Sequence, residues 1–262
     1  METNSLIVVI IFFIIIYFGK NIITFFTLTN TKLKLYNAKI VTPKDVEQNI
    51  LIRLVEYERI LYKNSFTRRS IVKLDKIFED EKNREYRFYY YNLLEGVHAF
   101  IVYKNNKFYY YFETLFNSQY SVISSNYYLY IKNAIPTNID FNIYANLSIR
   151  ELYKKHLVDR VVEKESVFKK RLEGRYLIKY ILFKRDEYLE TLLSKGYLQY
   201  MHNGYSFKRT FILFIDSNEL LKTLCNENIT NKSFSINLFK LNPSFNSKFT
   251  SNCSSNQVRN YL

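Results

Sequence analysis

Three histidines, two cysteines and five glycines bound the chemistry open to this chain of 262 residues. His98 lies in one apolar alternating stretch and Glu113 in the next, so a hairpin between them sets an imidazole beside a carboxylate. That pairing orients the base of a cysteine hydrolase, which also needs a thiolate held by the imidazole. The thiols on offer, Cys225 and Cys253, come late in the chain and outside any recognised motif. A structural role for His98 is therefore the preferred expectation. His202, in His-Asn-Gly, is expected in a solvated turn, and His156 on a Lys-rich helix face. There is no His-x-x-x-His spacing and the cysteines have no close Cys or His partner, so no metal site is expected.

The glycines stand apart at Gly19, Gly96, Gly174, Gly196 and Gly204. A dinucleotide fingerprint needs three glycines within six positions, and a Walker loop needs Gly-Lys-Ser/Thr. Neither pattern occurs, so no cofactor is expected and no catalytic residue is assigned.

Basic residues offer binding rather than catalysis. The formal net charge is +14, from 38 Lys+Arg against 24 Asp+Glu. Clusters include Lys154/Lys155, Lys169/Lys170/Arg171 and Lys184/Arg185, which are the candidate basic surface. Three readings compete. Interspersed acids such as Glu151, Asp159 and Glu173 fit a solvated helix face with paired charges. The same cations would suit an anionic lipid leaflet, or, with interleaved Tyr and Phe, single-stranded nucleic acid. The first reading is preferred and nucleic acid is the least favoured. Composition weighs on all three: 25 Tyr and 22 Phe with no Trp, three Pro and five Gly are the imprint of an A/T-rich genome, as in an organelle, a parasite, a bacterium or a large DNA virus.

That bias does not explain position. Leu6–Phe18 is apolar without a break, and after Gly19-Lys20-Asn21 the run resumes to Phe26. Leu6–Phe18 alone, as helix, would rise about 20 Å, whereas Leu6–Phe26 would cross a hydrocarbon layer of about 30 Å. Residues 1–5 carry no Lys or Arg side chain and no Ala-x-Ala follows, against a cleaved signal and for a signal-anchor. Lys20, Lys32, Lys34 and Lys39 all follow the run, which predicts the N-terminus outside and the body of the protein cytoplasmic.

The elements that must position these residues follow from periodicity. A strand is expected over 32–41, then a helix opened by Thr42-Pro43 with Val46, Ile50, Leu54, Tyr57 and Leu61 on one face. A shorter helix is expected over 69–81. Strands follow at 86–93, 97–103 and 108–112, with a turn at Lys104-Asn105-Asn106-Lys107. Further strands are expected at 119–131 and 141–145, then a helix capped by Ser148 running to about 170. Next come a strand at 176–183, a helix at 186–194 ended by Gly196, a hairpin of 197–201 with 205–215, and a short helix at 219–224. The aromatic runs Phe88-Tyr89-Tyr90-Tyr91 and Phe108-Tyr109-Tyr110-Tyr111-Phe112 put rings on both faces of the sheet, so a covering helix or a partner must bury the second face.

The whole reads as α+β: an N-terminal transmembrane helix, then one mixed domain with a mainly antiparallel sheet flanked by helices. The expected divisions are a membrane anchor at 1–28, a basic domain at 29–225 and an Asn/Ser-rich tail at 226–262. The order of elements over roughly 32–215 is similar to that of GNAT-type acyltransferases. That family binds the pyrophosphate of acyl-CoA with a glycine-containing loop entering the long helix; here the corresponding stretch, Asn146-Leu147-Ser148-Ile149-Arg150, has no glycine. The expected function is a single-pass, membrane-anchored binding or structural component, held at the bilayer through residues 6–26 and meeting an anionic lipid surface or a protein partner. The alternative is an acyltransferase whose acyl-CoA loop has diverged or been lost.

Overall fold

The computed structural model describes residues 19, 21–26, 28–29, 32–33, 37–74, 85–116, 120–162, 166–201 and 204–225. At its centre is a seven-stranded sheet in the order β2-β3-β4-β5-β6-β7-β8. These strands are β2 (Ala38–Val41), β3 (Thr67–Leu74), β4 (Glu85–Asn92), β5 (Val97–Lys104), β6 (Lys107–Leu115), β7 (Ser121–Ser125) and β8 (Ile139–Ile143). Every neighbouring pair is antiparallel except β7 and β8, which run parallel. A second, three-stranded sheet joins β1 (Lys32–Leu33), β10 (Gly204–Phe207) and β9 (Leu198–Met201). The fold is α+β, with a large, mainly antiparallel sheet flanked by helices.

Alternation builds the two cores. Along β4, Tyr86, Phe88 and Tyr90 point to one face and Tyr89 and Tyr91 to the other, all buried. Helix α1 (Gln48–Lys63) covers the first face with Ile50, Leu54 and Leu61, and α2 (Ile149–Asp159) covers it with Ile149, Leu152 and Tyr153. Helix α3 (Gly174–Ser194) covers the second face with Leu177, Ile181, Leu189 and Leu192; Leu28, the β9–β10 hairpin and α4 (Phe211–Cys225) join it there. Both faces of the aromatic strands are thus closed by the chain's own elements.

Several expectations hold. The buried stripe of α1 is the one its spacing predicts, although the Thr42 start forms a separate 3-10 turn, Pro43–Asp45, ahead of it. The turn at Asn105 and Asn106 has positive φ at both residues (52 and 60), the left-handed geometry that a two-residue hairpin asks of asparagine. Gly196 ends α3 with φ +80, while Tyr197 N–H donates to Leu192 O and Gly196 N–H to Leu193 O. That pair of bonds closes the last turn.

Others are corrected. Residues 67–74 form β3, not a helix: Ile71 faces one core while Val72 and Leu74 face the other, and a strand buried on both sides loses its alternation. The expected strand at 176–183 belongs to α3, because Leu177, Ile181, Tyr188 and Leu192 recur at helical spacing on one buried side. Residues 211–215 open α4 rather than extending β10. The strand expected over 32–41 splits into β1 and β2, which lie in different sheets. The helix from Ser148 stops at Asp159, with one 3-10 turn to Val162.

The expected membrane span falls largely outside the described residues, and among those described no helix is long and apolar enough to cross a membrane. Its described part is helical at 21–26 and packs on the domain. Thr24 and Leu28 are buried, Phe25 meets Phe214 edge-on at 5.8 Å, and Ser217 Oγ donates to Asn21 O at 3.4 Å.

Candidate functional site

His98 and Glu113 are directly opposed in the β5–β6 register, as the hairpin reading requires. Both are buried, on the α3 side of the sheet. Tyr89 Oη accepts the Leu172 N–H at 3.1 Å and lies 2.9 Å from His98 Nδ1. Nδ1 is the one acceptor that the described residues offer the hydroxyl proton, so the hydroxyl is assigned as donor to Nδ1 and the proton of the neutral ring to Nε2. Burial drives the His98 pKa down to about 3.

Lys184 brings a positive charge to this region. Its Nζ donates to Ser121 Oγ at 3.0 Å and stands 3.7 Å from Glu113 Oε1 and 3.8 Å from Glu187 Oε2. The hydroxyls of Tyr91 and Tyr180, His98 Nε2 and Glu113 Oε1 are buried without a hydrogen-bond partner among the described residues. Further along the same face Glu85 takes Arg87 Nε at 2.7 Å and Lys104 Nζ at 3.7 Å. Burial raises the Glu85 carboxyl, but the two cations outweigh it and hold its pKa below the usual value.

This constellation is poor acid–base machinery. A base with a pKa near 3 takes up almost no proton near neutrality. Among the described side chains no thiol stands beside His98; α4 is described at Cys225 only as backbone, and Cys253 lies outside the described residues.

His156 is buried on the other face, not on a solvated Lys-rich one. Ser124 Oγ lies 3.0 Å from its Nδ1 and donates to Asp159 Oδ2, also at 3.0 Å; Thr114 Oγ1 lies 2.9 Å from Nε2. Serine, histidine and acid are all present but in the wrong order. A catalytic triad places the imidazole between hydroxyl and carboxylate, whereas here the serine sits between the other two. Burial again holds the His156 pKa to about 3, assisted by Arg160. Thr114, Ser124 and Asp159 were not singled out from the sequence; the legible signal was His156 at four residues from Leu152, on the buried stripe of α2.

The seven expected basic residues do not share one face. Lys154 is exposed and Lys155 pairs with Asp159 at 3.2 Å, both on α2. Lys169 Nζ caps Leu94 O at 2.9 Å, Lys170 is exposed, and Arg171 pairs with Glu173 at 2.9 Å. Lys184 points into the buried cluster just described, and Arg185 pairs with Asp186. Since α2 and α3 cover opposite faces of the sheet, Lys154/Lys155 and Lys184/Arg185 cannot form a single patch. His202 lies outside the described residues.

The loop that the acyltransferase comparison singled out is closed by its own side chains. Ser148 N–H donates to Glu151 Oε2 at 2.9 Å, and Ser148 Oγ accepts from Glu151 N at 3.4 Å, a capping box over the first turn of α2. Beside it, β7 and β8 pair through five consecutive positions from Ser121↔Ile139 to Ser125↔Ile143, without splaying. Among the described residues no group of three or more His, Cys, Asp or Glu is placed to hold a metal. Comparison with protein-family models, with curated proteins and with solved structures returns no match for this chain.

Proposed function

We propose that the chain is a membrane-anchored binding or structural protein, its basic α+β domain held on the cytoplasmic side by the apolar N-terminal run. The observation that carries this reading is the continuity between run and domain. Leu6–Phe18 is followed at once by helical residues 21–26 whose Thr24 is buried and whose Phe25 packs on Phe214. In sequence only Gly19 and Lys20 stand between the apolar segment and helical residues 21–26, so whatever holds the segment holds the domain close by.

The acyltransferase reading finds less support. It would need a gap between the parallel strands and an open helix N-terminus for phosphate, where β7–β8 is continuously paired and α2 is capped by Glu151. Fractionation of the full-length chain made in cells tests the proposal. Retention of the protein in the membrane pellet after alkaline carbonate is the expected result. Release into the supernatant, or a mature chain lacking residues 1 to about 28, would overturn it.

A further inference from the structure

The packing of residues 21–29 has a consequence for how such an anchor meets a bilayer. Thr24 and Leu28 belong to the domain's interior, so this stretch cannot be ringed by lipid. The unbroken apolar run that precedes this stretch in sequence, Leu6–Phe18, would as helix rise only about 20 Å of the roughly 30 Å needed. The domain must then lie against the membrane rather than hang from it.

Two helical segments supply a surface for that. Residues 21–26 run antiparallel to α4, with Asn21 beside Ser217 and Phe25 beside Phe214. Each turns its buried side to the same core: Thr24 and Leu28 on one, Leu213, Ser217 and Leu220 on the other. Each leaves an apolar pair, three residues apart, facing away from that core: Ile23 at 42% and Phe26 at 54% exposure, Ile212 at 49% and Ile215 at 53%. Lys208 and Arg209, both exposed, stand directly before α4. The nearby acids are occupied, Asp216 by Tyr197 Oη and Glu219 by the Lys132 N–H. Apolar residues bordered by exposed cations are the pattern of a surface that sits at the headgroup–acyl boundary of an anionic leaflet.

We infer that Ile23, Phe26, Ile212 and Ile215 form a lipid-docking face, with Lys208 and Arg209 meeting anionic headgroups. This rests on the membrane-anchor reading and adds to it which face of the domain touches the bilayer.

The chain has no tryptophan, so one introduced indole reports alone. Full-length Ile215→Trp and Phe26→Trp are reconstituted with phosphatidylserine/phosphatidylcholine vesicles, and Ile52→Trp serves as control on exposed α1 across the sheet. The expected result is a blue shift at positions 215 and 26, with loss of emission when the acyl chains are brominated, and neither effect at position 52. If the protein floats with vesicles but Trp emission at 215 and 26 stays that of water, the docking face is wrong and the anchor stands. If the protein does not float, both readings fail. A blue shift that needs no lipid and grows with protein concentration would assign the face to a second copy of the chain and overturn the proposal.

Discussion

Tyr89 and His98 share a 2.9 Å hydrogen bond in the interior, and the tyrosine oxygen in turn accepts the Leu172 N–H that leads into α3. The tyrosine hydroxyl thereby ties the sheet to the segment that leads into α3, and the neutral imidazole on the adjacent strand accepts its hydrogen bond. Burial without a counter-charge makes the neutrality of His98 a condition of the fold.

Acid should therefore loosen the domain before the carboxylates titrate. His98 and His156 have folded pKa values near 3, against 6.5 for the free side chain. The unfolded state binds protons that the folded state refuses, so stability is full above pH 6.5 and declines as pH falls toward 3. Each histidine contributes a slope of about 1.4 kcal/mol per pH unit once the unfolded side chain is mostly protonated. Urea unfolding at pH 7, 6 and 5 should show the decline, and His156→Gln should flatten it by about one proton. Constant stability across that window would mean the rings are not buried as described.

Lys184 and Glu113 form a testable unit. Removing the ammonium with Lys184→Met leaves a carboxylate that is 2% exposed without its cation, at a cost on the order of 3–5 kcal/mol. Adding Glu113→Leu should restore much of that loss. A double-mutant cycle by chemical denaturation reads the coupling, and simple additivity would show the pair to be independent.

Two glycines at positive φ should respond differently to the same change. At Gly196 (φ +80) a Cβ meets nothing within 4 Å, so Gly196→Ala costs about 1–2 kcal/mol from the backbone alone. At Gly96 (φ +66) a Cβ would stand 2.6 Å from Val167 Cγ1, so Gly96→Ala adds overpacking and should cost about 2–5 kcal/mol. Thermal unfolding of the two variants side by side decides the order.

The cap of α2 gives a smaller effect. Ser148→Ala removes the acceptor for Glu151 N–H and should cost about 1 kcal/mol, while Ser148→Asp should retain most of the stability. Equal losses in both variants would mean that the cap contributes little.

The legible parts of the fold were those with local causes. The four- and three-residue spacing of α1, the Asn105-Asn106 turn and the Ser148 cap each depend on neighbours in sequence. The misread parts depend on partners far away. Ile71-Val72 looks helical because both sides of β3 are buried, and only the sheet order explains why. The aromatics of 176–183 suggest a strand until Leu189 and Leu192 extend the same buried stripe. The His98–Glu113 pairing was readable because one hairpin makes it. The Thr114–His156–Ser124–Asp159 group was not, because it joins β6, β7 and α2.

The bond between Ser217 and Asn21 spans 196 positions of sequence. At about 5–20 residues per second of synthesis, that is roughly 10–40 s during which the N-terminal helical turns exist and the helix that covers them does not. Thr24, Phe25 and Leu28 spend that interval without their final neighbours, joined to the most apolar stretch of the chain. If the anchor proposal holds, order of synthesis would give lipid the first opportunity to take the N-terminal run, before the domain closes.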